Sequence, residues 1–177
     1  NNMKNIVATL SLLFATTLSA QVAIGKSSIS SPAVSLEFYD GADNARGIIL
    51  PWVTSTAAVT GAVNGTLVYN TADRKVYVKY ASGWRDLSVD NTGAVNATLQ
   101  DSLTDQDTAK VLIGGDPSTD TTPGILVLAD TNKAMVLPKV ASPHLNIVNP
   151  SPGMMVYDTT KKQLAVFNGT VWSFWKP

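Results

Sequence analysis

Gly65-Thr66-Leu67-Val68-Tyr69-Asn70-Thr71 and Gly153-Met154-Met155-Val156-Tyr157-Asp158-Thr159 carry the same pattern twice, 88 residues apart. Each is a short apolar run that ends in a polar turn cluster, Asn70-Thr71-Ala72-Asp73-Arg74 in the first copy. Val76, Val78 and Tyr80 then alternate with Lys75, Tyr77 and Lys79, a period of two that predicts a half-buried strand. Two such runs around a four- or five-residue polar loop predict a β-hairpin. A second turn at Ala81-Ser82-Gly83 leads to Trp84, which extends the hairpin to a three-stranded meander. In the second copy Lys161-Lys162 occupies the first turn, and Asn168-Gly169, which readily takes positive φ, the second.

Working outward, two further landmarks repeat in the same order. Val22-Ala23-Ile24-Gly25 returns as Val111-Leu112-Ile113-Gly114 at an offset of 89, and Leu50-Pro51-Trp52-Val53 as Leu137-Pro138-Lys139-Val140 at 87. Such self-similarity marks a tandem duplication. Val34, Leu36 and Phe38 alternate with Ser35 and Glu37 as a strand does, and Gly47-Ile48-Ile49-Leu50 is a short run stopped by Pro51, as an edge strand is. No long amphipathic helix pattern occurs. The expected fold is all-β: two tandem copies of a small module of strand, edge strand and three-stranded meander, with oligomerisation as a route to completing it. The expected organisation is a leader at 1–20, a first module at 21–88, a polar linker at 89–110 and a second module at 111–177. One helical turn is expected near Ala97 to Leu103. A module of about 67 residues is marginal alone. Trp84 and Trp172, at equivalent positions, each offer about 150–250 Å² to a core, and the modules are expected to lean on each other or on other chains.

The leader has Lys4, an apolar run at 6–14 and small residues ending in Leu18-Ser19-Ala20 before Gln21. That is the layout of a secretory signal peptide cleaved after Ala20, the alternative being an apolar segment retained in the mature chain. The run is too short for a good membrane span, so export to the outside of the cell without a transmembrane span is expected.

Composition narrows the chemistry. Of 177 residues 13 are Lys or Arg, 13 are Asp or Glu, one is His and none is Cys. Thiolate metal sites, thiol nucleophiles and paired-histidine sites are therefore excluded. A balanced charge supplies no long-range field to gather nucleic acid. Gly25-Lys26-Ser27 has the end of a phosphate loop, but Ala20 stands where the first glycine is required and no helix follows. Asp116, Asp120 and Asp130 lack the alternation and central glycine of an EF-hand loop. His144 has no counterpart in the first copy, and no Gly-x-Ser-x-Gly or His-Glu-x-x-His occurs. Neither a catalytic residue, nor a cofactor, nor a metal site is expected, and the protein is not expected to be an enzyme. The residues singled out for interaction are the aromatics Trp52, Tyr77, Tyr80, Phe174 and Trp175, able to stack on sugars or to anchor protein contacts.

The Gln21-Val22-Ala23-Ile24-Gly25 start, Leu50-Pro51, the Gly65-to-Tyr69 run and a closing Trp resemble small secreted Bacteroidota surface proteins of uncharacterised function. Asn168-Gly169-Thr170-Val171-Trp172 is similar to β-rich phage tail-fibre and receptor-binding segments, a resemblance that implies homotrimers and no catalytic residues. The Bacteroidota resemblance further implies O-glycosylation at Asp-Ser/Thr patterns, here Ser102, Thr108, Thr121 and Thr159. The expected function is a secreted structural or interaction protein, a fibre, coat or adhesin-like subunit partnered with itself. The alternatives are a carbohydrate-binding module using Trp52, Tyr77 or Trp175, and an accessory subunit of an outer-membrane complex.

Overall fold

Fourteen strands are divided evenly between the two copies in the computed structural model, which describes residues 21–104, 106 and 109–176. The leader at 1–20 and the glycosylation candidate Thr108 lie outside the described residues. The first repeat contains β1 (Val22–Ile24), β2 (Val34–Phe38), β3 (Ile48–Ile49), β4 (Trp52–Val53), β5 (Leu67–Asn70), β6 (Lys75–Tyr80) and β7 (Gly83–Asp86). The second contains β8 (Val111–Ile113), β9 (Leu126–Leu128), β10 (Ala134–Val136), β11 (Lys139–Val140), β12 (Met154–Asp158), β13 (Gln163–Phe167) and β14 (Trp172–Trp175). The fold is all-β. Among the described residues the helical pieces are short: 3₁₀ turns at Thr56–Ala58 and Gln100–Ser102, the latter inside the stretch where a turn was expected, and α1 (Pro143–Asn146).

The two meanders agree residue for residue. Leu67 faces Val78 and Tyr69 faces Val76 across β5 and β6; Met155 faces Val166 and Tyr157 faces Leu164 across β12 and β13. Trp52 pairs in parallel with Tyr69 as Lys139 does with Tyr157. The four-residue hairpin loops end in Arg74 and Lys162, with φ of +63° and +53°. The polar runs after Asn70 and Asp158 turn the chain the same way because these two side chains accept local backbone N–H groups, Asn70 from Ala72 and Asp158 from Thr160 and Lys161.

The repeats are interlocked. β3 does not stay with its own repeat: Ile48 and Ile49 pair antiparallel with Met155 and Met154 of β12, and the Leu50 N–H donates to the Gly153 carbonyl (3.1 Å). In return β10 pairs in parallel with β2 of the first repeat. One core, Leu50, Tyr69, Val76, Leu87, Met155 and Val166, is drawn from both repeats. A second, around Val140, Ile147, Val156, Ala165 and Phe167, belongs to the second repeat. Two expectations need revision. Trp84 and Trp172 are only half-buried, Trp172 packing against the second core beside Phe167 rather than centring it; the shared core is centred on the cross-repeat packing of Tyr69 and its neighbours. The linker is not a solvated connector throughout: Val95 packs on the shared core, and Gly93 lies so close to the Arg74 and Asn168 carbonyls that a Cβ there would meet both at 2.5–2.6 Å.

Candidate functional site

Trp52 and Trp175, two of the five singled-out aromatics, are built into the junction between repeats. Trp52 is half-buried, its indole N–H donates to the Pro152 carbonyl (3.0 Å), and its ring lies 6.0 Å from that of Tyr69. The indole N–H of Trp175 donates to the Leu87 carbonyl, and the Arg85 guanidinium sits 5.4 Å from its ring centre, within cation–π range. Tyr77 lies on the face opposite Val76 and donates its hydroxyl to Asp73 (2.6 Å); burial, then that bond, push its pKa up. Only Tyr80 and Phe174 present large exposed surface. Phe174 meets His144 edge-on at 5.7 Å and borders a shallow groove with Ser88, Val89, Asp90, Asn91 and Ser173. The five aromatics therefore do not form one platform. Ser102, Thr121 and Thr159 are exposed at their turns.

The polar residues are used to hold the fold. Glu37 is fully buried on β2; burial raises its pKa, but the Ser30 N–H (2.6 Å) and Lys26 ammonium (3.0 Å) outweigh burial and hold the carboxyl below its usual range. Lys26 also reaches Asp40, which in turn meets Lys139 of β11 (3.1 Å each), tying the first repeat to the second. The Gly25-Lys26-Ser27 lysine is thus an ion-pair partner of a buried carboxylate. Among the described residues no three His, Asp or Glu side chains gather as a metal site, and no helix is long and apolar enough to cross a membrane.

What sequence reasoning missed is the exposure of several apolar groups on strands: Val111 and Leu126 on the β8–β9 pair and Tyr157 on β12, which is paired on both sides, beside Ile49 in the run read as an edge strand. The repeat shows in the structure where they arise: equivalent residues that differ in burial mark where a neighbour is present in one copy and not described in the other. A family model described as a phage tail like trimerisation region matches residues 116–176, from the turn after β8 through β14. No curated protein and no solved structure matches the chain.

Proposed function

We propose that the protein is a structural, non-enzymatic subunit that assembles with two further copies of itself into a fibre- or coat-like element. The observation that carries the reading is the match of residues 116–176 to a trimerisation region. Because the strands of the first repeat pair as those of the second do, the similarity in kind extends to a doubled unit. Exposed apolar strand edges support it physically, since unpaired N–H and C=O rows beside apolar side chains are templates for further chain. The polar inventory is consistent with such a role, its carboxylates being engaged in turns and ion pairs. We further propose export through the apolar leader, with the mature chain starting at Gln21. Light scattering across a concentration series tests the assembly: a species of several chain masses is expected, and a strict monomer at high concentration overturns it. Amino-terminal sequencing of native material tests export, and a start other than Gln21 counts against the assigned cleavage.

A further inference from the structure

We infer that the contact joining the two repeats of one chain is made again between chains, the second repeat of one copy docking on the first repeat of the next. The inference rests on the self-assembly proposed above and names its surface. A β3-type strand has two edges. In the first repeat that strand, β3, lies antiparallel on the start of β12 of the following repeat. In the second repeat its counterpart, β10, lies parallel on β2 of the preceding repeat. Among the described residues a two-repeat chain thus fills one edge of each and leaves four surfaces without their counterpart: the second edges of β10 and β3, the start of β5, and β9.

The burial of equivalent residues follows this division. Leu36 of β2, under β10, is 1% exposed, whereas its counterpart Leu126 on β9 is 47% exposed. Met155, under β3, is buried, whereas its counterpart Leu67 is half-buried. Tyr69 is fully buried with its hydroxyl on the Asn168 carbonyl (2.7 Å), whereas its counterpart Tyr157 is 37% exposed. Gly153 lies beneath the Tyr69 ring, where a Cβ would come within 2.8 Å, whereas a Cβ on its counterpart Gly65 would meet nothing within 4 Å. The Ala134 N–H donates to Ala33 (2.8 Å), and the β10–β2 ladder shifts register between Ala134 and Met135.

Transferring the internal register, Met135 and Val136 of one copy pair with Leu67 and Thr66 of the next. Ile48 and Ile49 of that next copy run parallel to Leu126 and Val127 of the first. Tyr157 closes over the neighbour's Gly65 with its hydroxyl at the Tyr80 carbonyl. The interface is head-to-tail, which closes into a ring or continues as a filament.

The absence of cysteine gives a clean test. The Leu50–Gly153 hydrogen bond makes Ile49–Met154, and so its counterpart Val136–Thr66, a non-hydrogen-bonded pair. Such pairs hold Cα atoms about 4.5 Å apart, within the roughly 4.4–6.8 Å that a disulfide spans. Differently tagged Thr66→Cys and Val136→Cys chains are co-expressed, oxidised, and read by non-reducing electrophoresis and native mass. A covalent dimer joining one chain of each tag is expected, with neither variant bonding to itself. Assembly without that bond, or a bond from Val136→Cys to Met154→Cys of another copy, overturns this interface and leaves self-assembly standing. Absence of any assembly overturns both.

Discussion

Asp158 shows at the residue scale how a buried charge is used for shape. Its Oδ1 accepts the N–H groups of Ser142 (3.1 Å), Thr160 (2.9 Å) and Lys161 (3.3 Å), and Oδ2 accepts from Gln163 (3.3 Å). Burial raises its pKa, but those donors together hold it below the usual carboxylate range. A group so lowered contributes stability that is complete above its unfolded pKa of about 3.9 and is lost as pH falls through the folded value. Denaturant titrations should therefore give a stability that is flat above about pH 5 and declines below about pH 4. Asp158→Asn should flatten part of that decline at a cost of about 1 kcal/mol, because its counterpart Asn70 already serves a similar turn. Asp158→Ala should cost about 3 kcal/mol, leaving backbone donors without an acceptor in a buried site. Tyr69 makes the other diagnostic bond. Burial has pushed its pKa up to about 12, and Tyr69→Phe leaves the Asn168 carbonyl unpaired. A loss of about 1–2 kcal/mol is expected in thermal or urea melts, with the fold kept.

At the element scale, the meander is the unit and its glycines report what lies against it. Gly153 (φ +78°) and Gly65 (φ +90°) occupy the same position in the two repeats, yet only Gly153 is covered. In dilute monomer, Gly153→Ala should cost about 2–4 kcal/mol from strain and the clash with Tyr69, and Gly65→Ala only about 1 from backbone strain. Equal losses in equilibrium unfolding would contradict the packing described. The hairpins were legible in the sequence because alternation over Lys75–Tyr80 and the turn chemistry of Asn70 and Asp158 are local signals. The partner of β3 was not. A two-residue strand has no period, and its hydrogen bonds cross to a strand about a hundred residues away. Nor was the fate of the aromatics legible. Trp52 and Trp175 read as interaction aromatics, but their N–H groups are satisfied by Pro152 and Leu87 of the opposite repeat, a tertiary fact without a local trace. Their commitment there leaves Tyr80 and Phe174 as the exposed remainder of the interaction set.

For the whole molecule, the lesson is in the mismatch between equivalent surfaces. The chain has the cohesion of a repeat array, in which each unit completes its neighbour, and an array of two has unfilled surface at both ends. In the first repeat Glu37 is buried and tied through Lys26 and Asp40 to Lys139 of the second, whereas Ile49 on β3 is exposed. Balanced net charge places no long-range repulsion between copies. A chain of this kind lowers its exposed apolar edge by meeting itself, and the region matched by the trimerisation family model covers half of the head-to-tail surface, β9 and β10 with Tyr157. The most direct measurement is native mass spectrometry of the full chain at micromolar concentration. The account predicts a dominant species of three chain masses, and a spectrum of single chains would contradict it.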